Sequence, residues 1–263
     1  MTSVQAAAAQ AGGEFKSVLP KRAWPYRAVK KARGRLDRLI ARYSLIPNDP
    51  LLDPALFPWT AMLRDNWRTI RAEAESLLPR MDRVPPLRSV SPDHQRIARS
   101  DLWKSFFLCG YGYWMVENVA RCPETAALVR QIPDLNSAFF SILLPGMHIK
   151  SHRGPTKGLV TGHLGLMVPD GETVRMQVDD QIVGWSEGEW LVFDDTYRHE
   201  VWHDGDRPRI VLLIQVRRPL RAPGRQIAGL FLGAIRRSPF VQEGRRKQAA
   251  WDAAMKAADR PAD

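Results

Sequence analysis

Cysteine is almost absent: Cys109 and Cys122 are the two in 263 residues, and they form no C-x-x-C pattern. That argues against a disulfide framework or a cysteine-ligated metal and points to a reducing, cytoplasmic setting. Long apolar runs are missing too. "IAGLFLGAI" at 227–235 is nine residues, far short of the roughly 20 needed to span a bilayer. The opening "MTSVQAAAAQAGGEF" has no basic segment followed by an apolar one, so no secretory signal is expected. Acid is the scarcer charge, with 28 Asp and Glu against 39 Lys and Arg and a net charge of +11.

The basic surplus gathers at the two ends. Residues 16–42 hold ten Lys or Arg against one acid, Asp37, and a second basic cluster starts at Arg217. Such ends are either solvated surface or a match for anionic partners such as lipid headgroups. The run at 227–235 is bracketed by Arg221, Arg225, Arg236 and Arg237, a pattern suited to lying on a membrane surface. The expected location is therefore cytoplasmic, with peripheral contact on the inner face of the membrane.

What is there in quantity is ordinary globular material, 44% hydrophobic with nine Trp and nine Phe. Residues 1–20, rich in Ala, Gly and Gln, are expected to be disordered. A basic helical pattern covers 26–43, and "WTAMLRDNWRTIRAEAESLL" (59–78) predicts one helix ending at Pro79. A further helix is predicted over 124–132, between Pro123 and Pro133. From 138 to 216 short apolar runs such as "AFFSILL", "HLGLMV", "EWLVF" and "RIVLLIQV" are punctuated by Gly, Pro and Asp. These are the marks of a β-sandwich or barrel, and no helix long enough for a βαβ unit lies between them. Helical character returns after Pro219, most strongly over 243–259. The expected layout is a basic, partly disordered arm (1–45), a helical support region (46–134), a β core (135–218) and a basic helical extension (219–263).

Five of the six histidines fall between 148 and 203: His148, His152, His163, His199 and His203. In a β barrel, distant strand ends meet at one mouth. Non-haem iron sites commonly use two histidines and a carboxylate, the carboxylate two residues after the first histidine. Here "HRGPT" (152–156) has Gly154 at that position. His199 follows 47 residues after His152 (199 − 152) in "FDDTYRHEVW", and Arg209 leads the apolar run "IVLLIQV". An arginine opening a buried strand is either solvated, paired with an acid, or the receptor of a ligand carboxylate.

Taken in order, "HRGPT", "GHLGL", "WSEGEWLVFDD" and "RHEVWHDGDRPRIVLLIQV" resemble the catalytic domain of the aspartyl/asparaginyl β-hydroxylase family, over roughly 135–220 and more weakly upstream. The resemblance implies a mainly β core with flanking helices, a double-stranded β-helix of the jelly-roll, cupin-like kind. It implies an Fe(II)- and 2-oxoglutarate-dependent dioxygenase that consumes O2 and hydroxylates an unactivated C–H bond. By motif, His152 and His199 become the iron ligands and Gly154 the vacant third position. Asp195 orients water there, with Asp194 the alternative turn residue. Arg209 and Ser141 would take the distal carboxylate of 2-oxoglutarate, and His163 its C1 end. The family carries an arginine where this chain has Thr161, so Lys157 or Arg175 is expected to substitute. His148 and His203 are expected near the mouth, and Trp185, Trp190 and Trp202 as core or rim aromatics.

Two substrate classes follow. One is the β-carbon of an Asp- or Asn-type residue or small molecule. The other is a lipid acyl chain, since bacterial lipid A acyl-chain 2-hydroxylases are similar to the same family. The rival readings are an iron halogenase, with chloride in the vacant position, and a non-catalytic basic β-sandwich binding module. Nucleic acid is not an expected partner.

Overall fold

The computed structural model describes residues 25–91, 96–98 and 100–258; the disorder expected for residues 1–20 lies outside them. Eleven strands form two antiparallel sheets. In chain order they are β1 (Leu51–Leu52), β2 (Trp103–Gly110), β3 (Tyr113–Trp114), β4 (Leu135–Leu143), β5 (His148–His152) and β6 (Leu159–Met167). They continue with β7 (Val174–Val178), β8 (Gln181–Val183), β9 (Trp190–Phe193), β10 (His199–His203) and β11 (Arg209–Arg217). The large sheet runs β1-β9-β6-β11-β4-β2-β3 and the small one β5-β10-β7-β8. From β4 onward the chain therefore shuttles between sheets, which is the winding of a double-stranded β-helix.

Period-two alternation sorts side chains onto the two faces of the large sheet. On β11, Ile210, Leu212, Ile214 and Val216 join an outer core with Trp59, Leu63, Ile70 and Ala74. Val211 belongs instead to an inner core shared with Ile149, Val174, Met176 and Val201 of the small sheet. Arg209, Leu213 and Gln215 share the parity of Val211, so this inner wall is where polar side chains meet.

Among the described residues eight α-helices surround the sheets: α1 (Pro25–Ala41), α2 (Trp59–Asp65), α3 (Trp67–Glu75), α4 (Leu87–Val90), α5 (Val116–Arg121), α6 (Pro123–Val129), α7 (Gly224–Arg237) and α8 (Pro239–Ala258). The single helix predicted over 59–78 is broken. Asn66 leaves helical geometry (φ −106, ψ 12), and its side chain donates to the Met62 carbonyl at 2.8 Å. Asparagine competes for backbone partners in this way, which is why it interrupts helices. The first and last described helices pack on the body: Ile40 of α1 is buried with Leu220 and with Ala228 of α7, and Trp251 of α8 donates to the Arg83 carbonyl at 2.6 Å.

Candidate active site

His152 closes β5 and His199 opens β10, and the two are cross-strand partners. Strict alternation from inward Ile149 would turn Ser151, not His152, toward the interior. A β-bulge intervenes: Val201 pairs with Ile149, yet His199 pairs with His152. The extra residue on β5 re-aims the chain, a common use of bulges beside functional sites. The ring centroids end 4.0 Å apart at 58°.

Each Nδ1 faces a carbonyl two residues back, Lys150 at 2.8 Å and Tyr197 at 3.0 Å. A carbonyl only accepts, so the proton sits on Nδ1 and the lone pair on Nε2. That tautomer is the one a metal needs. Burial pushes the His152 pKa below its ordinary value, which keeps the ring neutral.

Gly154 has no room for a side chain. A Cβ there would collide with the carboxyl carbon and both oxygens of Asp195. Asp195 thus fills the space where a carboxylate at position 154 would have stood. Its backbone carbonyl accepts from the Gly154 N–H at 2.6 Å. Its Oδ2 accepts from Thr161 Oγ1 at 3.2 Å and Gln215 Nε2 at 3.1 Å, while Oδ1 is buried without a partner. Burial, then the neighbouring charge of Asp194, pushes the Asp195 carboxyl up to about 7. Asp194 is committed elsewhere: fully buried, it binds Lys157 Nζ at 2.6 Å, Arg218, and the Thr196 amide and hydroxyl.

Across the inner wall, Arg209 is 1% exposed. It donates to the Ser141 carbonyl at 3.3 Å and lies over Trp185, 4.5 Å from the ring centroid. Its Nε has no partner, and among the described residues no carboxylate pairs with it. Burial alone pushes its pKa down to about 9. His163, also buried, accepts the Trp185 indole N–H on Nδ1 at 3.3 Å. An indole only donates, so His163 carries its proton on Nε2, and that Nε2 is buried without a partner. Burial, then the charges of Arg209 and His199, keep it neutral by pushing its pKa well below the ordinary value. The interior therefore holds two imidazoles presenting lone pairs, one presenting a donor, and a cation lacking its anion.

The family model described as aspartyl/asparaginyl beta-hydroxylase matches residues 64–219. The chain belongs to that family. Within the aspartyl/asparaginyl β-hydroxylase family it is 38% identical to the ornithine lipid ester-linked acyl 2-hydroxylase of Rhizobium tropici, over 82% of this chain and 77% of that one. It is 30% identical to the human aspartyl/asparaginyl beta-hydroxylase over 61% of this chain, which spans 21% of the human protein. Among solved structures, a Pseudomonas putida prolyl-4-hydroxylase aligns with 60% of this chain and 98% of its own at 18% identity, with a TM-score of 0.36.

In this member of the β-hydroxylase family, neither residue expected to stand in for an arginine at Thr161 reaches the site. Lys157 is held by Asp194, and Arg175 pairs with Asp204 at 2.7 Å. Thr161 itself donates to Asp195. His203 is not near the mouth: it is 1% exposed and accepts the Gly205 N–H at 3.2 Å. His148 is exposed and bound to Glu200 at 2.6 Å. Trp190 donates to the Thr60 carbonyl at 2.8 Å, and Trp202 stacks on His148. Gln215 escaped the sequence reading, though it was reachable by counting in twos from Arg209 along β11. Trp185 was expected as a core or rim aromatic and is buried; its contacts with His163 and Arg209, 22 and 24 residues away (185 − 163, 209 − 185), were not readable from spacing. Among the described residues no group of three or more His, Cys, Asp or Glu is arranged to hold a metal.

Proposed function

We propose that this protein is an Fe(II)- and 2-oxoglutarate-dependent hydroxylase acting on an unactivated C–H bond. The observation that carries the reading is Arg209, a guanidinium buried without an acid on the wall that faces the two histidines. A charge in that position costs several kcal/mol unless an anion joins it, and a dicarboxylate cosubstrate supplies one. His152 and His199 would hold the metal. Asp195 would direct Oδ1 at a water in the third position, Arg209 and Ser141 would hold the distal carboxylate, and His163 would donate Nε2–H to the C1 end. When bound, Fe(II) and 2-oxoglutarate supply O2 activation coupled to decarboxylation, leaving succinate, CO2 and a hydroxylated product. The chain's own part is to orient both ends of the cosubstrate and to exclude water with Phe193 and its apolar neighbours. Phe193 packs edge-on against both His163 and His199, with centroids at 5.1 and 5.5 Å.

The substrate reading we favour is a lipid acyl chain at a membrane surface, ahead of an Asp or Asn β-carbon. The relative named for an acyl chain shares more identity over more of this chain than the human one does. Basic residues near anionic lipid add roughly 1 kcal/mol of attraction each, and Leu230 of α7 stands 78% exposed between Arg225 and Arg237. The contact proposed is peripheral, on the cytoplasmic face; no helix among the described residues is long and apolar enough to cross a membrane. The four-part layout with boundaries at 45, 134 and 218 belongs to the same proposal. Halogenation is disfavoured because Asp195 occupies the room a halide would need beside Gly154.

The test is succinate formation from 2-oxoglutarate with Fe(II) and O2, with product mass. Activity lost in both His152→Ala and His199→Ala, with one oxygen gained by the product, is the expected result. Wild-type succinate in either variant would remove the iron assignment, and chlorine in the product would replace hydroxylation.

A further inference from the structure

Ser105 lies on β2 directly opposite Ser141 of β4, which in turn lies opposite Val211 of β11. Ser105 shares the parity of inner-core Trp103, whereas Phe106 and Leu108 belong to the outer core. Its side chain therefore stands on the wall that carries Arg209. It is 0% exposed, and its hydroxyl has no hydrogen-bond partner. Buried hydroxyls are almost always satisfied, so such an orphan needs an explanation. The groups around it are donors. Ser141 Oγ accepts the Trp103 indole N–H at 3.0 Å, which leaves the Ser141 proton to give. Arg209 Nε is unpartnered, and among the described residues no carboxylate pairs with Arg209; Asp195, the acid on this wall, is bonded to Thr161 and Gln215 instead.

We propose that Ser105 donates its hydroxyl hydrogen to the distal carboxylate of the 2-oxoacid cosubstrate, as a third donor beside Arg209 and Ser141. A carboxylate offers about four lone-pair directions, enough for a guanidinium and two hydroxyls. The inference rests on the function proposed above, and deepens it by adding a residue that fixes which 2-oxoacid fits.

The experiment is anaerobic calorimetric binding to the Fe(II)-loaded protein, using 2-oxoglutarate and 2-oxobutyrate, which lacks the distal carboxylate. Ser105→Ala should weaken 2-oxoglutarate about ten- to hundredfold, the loss of one hydrogen bond to a charged group. It should leave 2-oxobutyrate within about twofold, and Ser105→Thr should recover most of the loss. Without ligand, Ser105→Ala should melt no lower than wild type, because it removes an unsatisfied buried group. An unchanged 2-oxoglutarate affinity, or an equal loss for both 2-oxoacids, would overturn the assignment. So would a lowered melting point accompanied by that equal loss, the mark of a structural serine. Failure of the wild type itself to bind 2-oxoglutarate would overturn the proposed function, and this inference with it.

Discussion

Asp195 and Arg209 are a carboxyl pushed up to about 7 and a guanidinium pushed down to about 9 in the same interior. Neither shift comes from a partner of opposite charge in contact; burial is the first cause of both. For Asp195 the raised value means that folding favours the protonated form. That contribution is complete below the ordinary carboxylate range and is lost as pH rises through about 7. Metal-free protein should therefore lose thermal stability between about pH 4 and pH 7, and Asp195→Asn should flatten that loss. Melting curves in chelator across that range check it, and an equal slope in the variant would assign the loss to other groups. Trp185 gives a second residue-scale expectation. Phenylalanine there keeps a ring under Arg209 but removes the N–H that fixes the His163 tautomer. The KM for 2-oxoglutarate should rise about two- to tenfold, one neutral hydrogen bond's worth, with kcat nearly unchanged in steady-state assays.

At the scale of elements, the strands were the legible part. Alternation and turn residues over 138–216 mark β4 to β11 because a half-buried strand imposes its period on the sequence. The break at Asn66 and the bulge on β5 were not legible, since each depends on one backbone angle or one extra residue that periodicity averages away. Asp195 in the space of Gly154 is a contact across 41 residues (195 − 154) that no spacing rule announces. The motif order nevertheless named His152, His199, His163, Ser141, Asp195 and Arg209; the last five are buried, and His152 is half-buried beside His199. The basic arm shows a different gap. Read as charge alone it is a solvated tail, yet Arg33 of α1 donates to the Gly154 carbonyl, and Asp37 accepts the Lys157 amide at 2.8 Å. Deleting residues 1–45 should therefore cost stability as well as charge. Uncovering the partners of Ile40 alone predicts about 2–4 kcal/mol, readable by urea denaturation. A midpoint equal to that of the full chain would return the segment to the status of a free arm.

At the scale of the molecule, the large sheet carries an apolar face toward the helices and a mixed face toward the small sheet. This division lets a sizeable core coexist with several unsatisfied polar atoms: the outer core stabilises the sheet, while the inner wall carries the unpartnered atoms of Ser105, His163 and Arg209. Net charge works at the same scale. If the +11 surplus draws the protein to anionic vesicles, sedimentation with them should fall steeply between about 0.05 and 0.5 M salt, as screening shortens from more than 10 Å. Leu230→Glu on α7 should weaken it several-fold at any salt. Binding indifferent to both changes would place the contact elsewhere.

The bulge on β5 has a consequence for assembly. The two imidazoles proposed to hold the metal are cross-strand partners only in one alignment of β5 with β10, and a slip of a single residue would turn one of them to the opposite surface. On the proposed function, metal affinity is a checksum on strand alignment: misaligned chains offer one imidazole, correct ones offer two. An ion that binds only the correct alignment also stabilises it by mass action, so loading the site would proofread the sheet that forms it.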